Sequence, residues 1–284
     1  MDQKYIDLFD RYTHGAMKRR DFLQRLTRLA GSAAAATALL PTLENNYALA
    51  DIVAESDPRI APEVIKFSAG MADATGYLVK PKDAAKAPAV IVIHENRGLN
   101  PHIKDVARRL AAEGFLVLAP DYLSLQGGTP ADQDQVGKLK PDEILAISRA
   151  SVAVLATHAN GNGKVGAVGF CWGGGQVNQL AVSEPTLGAG VAYYGRQPKA
   201  EDVPAIRAPL LLHYAGIDEN TNAGIPAFEK ALKDAGKTYE LYMYEGANHA
   251  FNNDTNAARY NKAAADLAWG RTIEFLRKNL ASAA

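Results

Sequence analysis

Six short apolar runs alternate with stretches of helical spacing, and this alternation constrains the fold more than any other feature of the chain. The runs are Ala89–His94, Phe115–Ala119, Val165–Gly169, Gly188–Tyr193, Pro209–Tyr214 and Glu240–Tyr244. Ala89-Val90-Ile91-Val92-Ile93 is continuously apolar and rich in β-branched residues, as expected of a strand buried on both faces of a parallel sheet. Val64–Phe67 and Thr75–Val79 read as earlier strands forming an antiparallel edge. Between the runs, Asn100-Pro101 opens a helix whose Ile103, Val106, Ala107, Leu110 and Ala111 share one face, with Gly114 ending it. Pro141 opens a second helix, Ile225, Phe228 and Leu232 mark a third, and Leu267, Arg271, Phe275 and Leu280 a long C-terminal one. The expectation is an α/β fold: a mostly parallel twisted sheet with helices on both faces. Chemistry in such a sheet belongs in the segments that follow the strands.

At 284 residues the chain suits one large α/β domain, read as residues 51–284, preceded by a leader over 1–50. Lys18-Arg19-Arg20-Asp21-Phe22-Leu23 looks like a twin-arginine export signal, followed by an alanine-rich run from Leu29 to Leu40 and an Ala48-Leu49-Ala50 cleavage site. That reading predicts a periplasmic protein whose partner is the twin-arginine machinery. The alternative is an amphipathic helix that stays attached in a cytoplasmic protein. The run is too short and mild for a membrane span. Basic and acidic side chains balance at 31 each. The first fifty residues hold seven basic and five acidic groups, leaving 24 and 26 for the rest, so there is no electrostatic footprint for nucleic acid.

The single cysteine has no internal disulfide partner. Burial as a small hydrophobe explains it on one reading, catalysis on another. Its setting favours catalysis. Gly169-Phe170-Cys171-Trp172-Gly173 directly follows an apolar run, with Gly174, Gly175 and a helical stretch after it. This is a G-x-nucleophile-x-G turn, where small residues two positions either side let a tight bend pass. The following helix aims its N-terminal dipole at the sulfur and favours thiolate, and the Trp172 amide is placed to receive an oxyanion. A phosphate-binding turn is the rival, but neither a Lys-Ser/Thr pair nor G-x-G-x-x-G spacing is present.

Asp218 follows the run Pro209–Tyr214, and His249 follows Glu240–Tyr244. Nucleophile, acid and histidine thus arrive in that order, each in a loop after a strand. His249 suits the general base and Asp218 the group that orients it. A loop aspartate is also a common cap, and Glu219 is an adjacent rival. Of the remaining histidines, His14 lies in the leader, His102 and His158 read as helix-face residues, and His94 and His213 end apolar runs. No histidine pair has metal-ligand spacing, so neither metal nor cofactor is expected.

Together these residues resemble the dienelactone hydrolase (carboxymethylenebutenolidase) family, of α/β-hydrolase fold, over about Ile65 to Leu280. The resemblance rests on the cysteine turn, on Asp218 and His249 in matching loops, and on His94-Glu95-Asn96-Arg97-Gly98 after an early strand. It implies hydrolysis of a small ester, lactone or thioester through a thiol acyl-enzyme. It further implies that Glu95 contacts the resting nucleophile, and that the Asn96 amide completes an oxyanion hole with that of Trp172. Members proper hold a substrate carboxylate with arginines near a Pro-Asp-Leu-Tyr segment and just after the histidine. Here Pro120-Asp121-Tyr122-Leu123-Ser124-Leu125 and His249-Ala250-Phe251-Asn252-Asn253 contain none. Arg97 and Arg196 are the candidates to replace them, with Tyr122, Tyr194, Phe251 and Trp172 as pocket walls. The competing expectation is a ligand-binding protein of the same fold that has lost turnover.

Overall fold

The computed structural model describes residues 1–15, 17–70, 72–129 and 136–282. Three N-terminal helices, α1 (Gln3–Thr13), α2 (Arg19–Ala30) and α3 (Ala33–Leu43), precede the sheet. Then come β1 (Ile60–Ser68), β2 (Asp73–Pro81), β3 (Ala87–Ile93), α4 (Pro101–Ala112), β4 (Leu116–Asp121), α5 (Pro141–Thr157), β5 (Gly161–Phe170) and α6 (Trp172–Ser183). The chain finishes with β6 (Ala189–Tyr193), β7 (Leu210–Ile217), the short α7 (Glu219–Asn222), α8 (Ile225–Asp234), β8 (Tyr239–Asn248) and α9 (Lys262–Leu280).

The eight strands form one sheet in the order β1-β2-β4-β3-β5-β6-β7-β8. The two pairings that involve β2 are antiparallel, which bears out the expected edge, and the pairings from β4 through to β8 are parallel. Val90, Ile91, Val92 and Ile93 are fully buried, as a central strand with helices on both sides requires. Each such side chain contributes about 1.5–3 kcal/mol by leaving water. One face of the sheet is covered by α4 and α9, through Ile103, Val106, Leu110, Ile273 and Leu276. The other is covered by α5, α6 and α8, through Ile147, Leu155, Val177, Leu180, Phe228 and Leu232. Between β3 and β5 the winding reverses, because the chain leaves β3 for β4 on one side and returns to β5 on the other. A crevice opens beyond the carboxyl ends at such a reversal, and the two strands that border it end immediately before His94 and Cys171.

Residues 1–50 were expected as a leader, and the structure shows what they pack against. Helices α1, α2 and α3 form a small core of their own in which Phe9, Phe22, Leu26 and Leu43 are buried and Ala258 of the main domain takes part. Tyr12 stacks on Phe22 with ring centroids 4.7 Å apart. The apolar run of this segment is broken by Gly31, left-handed at φ 81°, and by Ser32, whose hydroxyl accepts from the Ala35 amide and starts α3. The unit lies across the carboxyl edge of the sheet. Gln3 donates to Asn248 (2.5 Å), and Arg259 donates to Asp10 (2.6 Å). Asn256 donates to the Leu43 carbonyl (2.6 Å), and the Asn46 amide to the Thr255 carbonyl (2.7 Å).

Candidate active site

Cys171 sits between β5 and α6 with φ 55° and ψ −115°, a conformation costly for a side chain with a Cβ. Its amide donates to the Tyr193 carbonyl on the neighbouring strand (3.0 Å). The bend is made possible by glycines whose places leave no room for a methyl group. A Cβ on Gly169 would lie 2.2 Å from the Gly173 carbonyl oxygen, and one on Gly173 would lie 2.3 Å from that of Ile93. The start of α6 is thereby wedged against the end of β3. Two further non-glycine residues with positive φ border the same site, Tyr194 at 39° and Ala250 at 64°. Backbone strain is thus concentrated on this rim, as it commonly is where chemistry is done.

Strand β7 ends at Ile217, and Asp218 caps α7, its Oδ1 accepting from the Thr221 amide (3.2 Å). Its other oxygen accepts from His249 Nδ1 at 2.6 Å. One carboxylate oxygen of Asp218 thus caps α7 while the other meets His249. Glu219 is exposed in the first turn of α7. His249 directly follows β8, is 5% exposed, and has its Nε2 among the groups facing Cys171. A proton on Nδ1 is the only form that donates to the carboxylate, so neutral His249 offers its Nε2 lone pair toward the sulfur. Burial alone would push the Cys171 thiol up. The positive charge of His249, with hydrogen bonds from His14 and His249, outweighs it and brings the thiol down to about 6. Burial likewise opposes charging of His249, but the adjacent sulfur and Asp218 hold its pKa well above the usual imidazole value. Both shifts act in one direction, toward thiolate beside imidazolium.

His14, set aside by the sequence reading, is the residue nearest this pair in the N-terminal unit. Its Nε2 is 3.5 Å from the Cys171 sulfur and 3.3 Å from His249 Nε2. Thr13, His14, Asn45, Glu95, Asn96, Arg97, Ala250 and Arg259 surround Cys171 and His249. The space they leave is about 20 Å³, room for about one water. Asn96 donates from its side chain to the Thr13 carbonyl (2.5 Å). Glu95 lines this space, but its Oε2 accepts from Asn253 Nδ2 (2.9 Å). The side chain hydrogen-bonded to the sulfur is that of His14 (3.5 Å), a contact the sequence did not suggest.

Other expectations divide. The Trp172 amide is the first of α6 and has no intrahelical carbonyl to serve, as an oxyanion donor should. Tyr194 is buried with its ring 4.9 Å from that of His249. Arg97 lines the cavity. Arg196 does not; it is exposed beyond β6. Tyr122 is buried behind the site, its hydroxyl bonded to Ser148 (2.8 Å) and its ring edge against Trp172. Phe251 is fully buried between Tyr194 and Tyr244 and belongs to the core. Both were expected as pocket walls because aromatic residues near a strand end look alike in sequence. Arg259 was missed. It lies ten residues past His249 in a loop where Asn252, Asn253, Thr255 and Asn256 are also buried, and it brings a cation to the cavity. So dense a run of asparagines after a histidine was the available signal, since buried amides need partners.

Comparison with known proteins agrees with this architecture. The model of the dienelactone hydrolase family matches residues 74–280, and a YqhI-like model matches residues 1–31. A Saccharolobus solfataricus protein named "Putative carboxymethylenebutenolidase" is 37% identical over 231 residues, 67% of this chain and 89% of its own. A Methylorubrum extorquens protein of the same name is 34% identical over 280 residues, 90% of this chain and 93% of its own. A solved structure titled "Putative Dienelactone Hydrolase" from Klebsiella pneumoniae superposes with a TM-score of 0.69 at 30% identity, covering 77% of this chain and 99% of that one. With most of its length matched in this way and the same doubly covered sheet, the chain belongs to the dienelactone hydrolase family.

Proposed function

We propose that this protein hydrolyses a small ester, lactone or thioester through a thiol acyl-enzyme on Cys171. The observation that carries the reading is the 2.6 Å contact from Asp218 to His249, with His249 in turn facing the strained cysteine. The thiolate attacks the acyl carbon, and the amide of Trp172, with that of Asn96 as its partner, receives the charge that develops on oxygen. His249, already protonated, delivers its proton to the leaving alkoxide or thiolate. It then draws a proton from water, which attacks the thioester and releases the acid and the free cysteine. Asp218 is a positioning residue: it fixes the imidazole tautomer and steadies the imidazolium. Because the closed site has room for about one water, the cycle begins with the N-terminal unit moved aside. Arg97 and Arg259 favour an acyl group that carries a negative charge.

Iodoacetamide titration tests this reading. Thiolate is the reactive form, and it is lost as pH falls through the folded pKa. Alkylation of Cys171 should therefore be half-maximal near pH 6 and level above about pH 7, instead of following a free thiol of about 8.5. Loss of esterase activity should track it one-for-one. A rate still climbing through about pH 8–9, or full activity in alkylated protein, contradicts the proposal.

A further inference from the structure

We infer that His14, Cys171 and His249 form a zinc site that arrests the enzyme. The three donor atoms come from three distant parts of the chain and lie within 4.8 Å of one another. Sequence spacing had excluded a metal only because it compares neighbours along the chain. A tetrahedral zinc with bonds of about 2.3 Å to sulfur and about 2.0–2.1 Å to nitrogen has nitrogen–nitrogen edges of about 3.3 Å and sulfur–nitrogen edges of about 3.6 Å. Two of the corresponding separations are 3.3 Å between the two Nε2 atoms and 3.5 Å from His14 Nε2 to the sulfur, and the third, between His249 and the sulfur, is within 4.8 Å, so a bound metal would draw that pair together.

The tautomers point the same way. His249 Nδ1 is bound to the Asp218 carboxylate, and His14 Nδ1 lies 2.7 Å from the Asp10 carbonyl oxygen. Both partners only accept, so each Nδ1 carries a proton, and it is Nε2 of each ring that turns inward and becomes a donor to a metal once its own proton leaves. The two Nε2 atoms meet across 3.3 Å beside the sulfur, a separation that a proton on one ring bridges. One proton serves one pair of atoms; a metal ion serves all three. An outer hydrogen bond from Nδ1 to a carboxylate or a backbone carbonyl is also the arrangement that metal-bound histidines show. Thiolate and imidazole select zinc over harder cations, and the remaining space of about 20 Å³ holds a water as fourth ligand.

Binding exchanges the proton shared by thiol and imidazole for the metal, releasing one proton to solvent with no change of oxidation state. It occupies the sulfur and the Nε2 that the proposed hydrolysis uses, and it clamps α1 over the site. The arrest rests on the proposed function, whereas the binding does not. The site also belongs to the full-length chain, since removal of residues 1–50 takes His14 with it.

The test uses full-length protein stripped by a chelator and titrated with Co²⁺. The expected result is one equivalent bound with a thiolate-to-cobalt charge-transfer band, displaced by Zn²⁺, and a melting temperature that rises with Zn²⁺. His14→Ala and His14→Gln should weaken Zn²⁺ binding by about 100-fold or more, the scale that even an outer-partner loss can approach. Both should keep the metal-free melting temperature, and Cys171→Ala should lose the charge-transfer band. Zn²⁺ should also stop ester hydrolysis by the wild type, reversibly with chelator. Absence of a thiolate band, as a shared proton alone would leave, or undiminished Zn²⁺ binding in both His14 variants overturns the site. A full cobalt signature in a protein whose Cys171→Ala variant still hydrolyses esters would instead sink the hydrolytic role and leave the metal site standing.

Discussion

Cys171→Ala is expected to lower kcat/KM for an activated aryl ester by about 10⁴-fold or more, the scale set by loss of a nucleophile when binding and the oxyanion hole remain. The geometry makes this a clean experiment. The left-handed φ of 55° is no harder for alanine than for cysteine, and the glycines that allow the bend are untouched. Melting temperature should therefore hold while activity disappears. Cys171→Ser should fall nearly as far, because the flanking imidazole that ionises a thiol does not ionise an alcohol. Steady-state kinetics on both variants, with matched melting curves, decide the matter. Retained turnover in the alanine variant would remove Cys171 from the reaction.

Asp218→Asn is the second large effect, expected at about 10³-fold in kcat. Loss of the corresponding carboxylate in a serine triad costs about 10⁴-fold through the wrong imidazole tautomer. The loss is smaller here because a thiol needs less help from its base than a hydroxyl does. The carboxylate also supports the charge on His249, and its own pKa is drawn down by that partner against the cost of burial. Removing it should therefore move the inflexion of Cys171 alkylation upward from about pH 6. That shift separates positioning from mere structure, since a variant that only loosened α7 would lose stability without moving the profile. An unchanged profile with near-normal kcat would assign Asp218 to capping alone.

The sheet was largely legible because buried strands announce themselves. The run Ala89–Ile93 has only one environment that suits it, and the helical face from Ile103 to Ala111 has only one side to bury. Each predicted strand overlaps an observed one, and His94, Phe115, Gly188 and Pro209 are single residues by which the prediction overruns the strand. The positions of Cys171, Asp218 and His249 were legible for the same reason: a residue just past a parallel strand has nowhere to be but the carboxyl rim. Roles that depend on approach from elsewhere were not. Nothing local to Glu95 reveals that Asn253 takes up its carboxylate. Nothing local to His14 reveals that α1 folds back across the chain to within 3.5 Å of the sulfur. The mild run Leu29–Leu40 resembles a leader and also suits a small helical core, and composition does not separate its fate in the cell from its packing. Arg196 and Arg97 both follow strands, yet only Arg97 lines the cavity, because β6 ends in a bend at Tyr194 and Gly195 that leaves the next residue outside.

Intact-protein mass spectrometry after rapid mixing with a slowly deacylating aryl ester bears most directly on the mechanism. A covalent intermediate on sulfur should appear within the first turnover as one added acyl mass, removed by hydroxylamine and mapped by digestion to the peptide bearing Cys171. Turnover of that ester with no such adduct, or an adduct on any other residue, would contradict the chemistry assigned to this rim of the sheet.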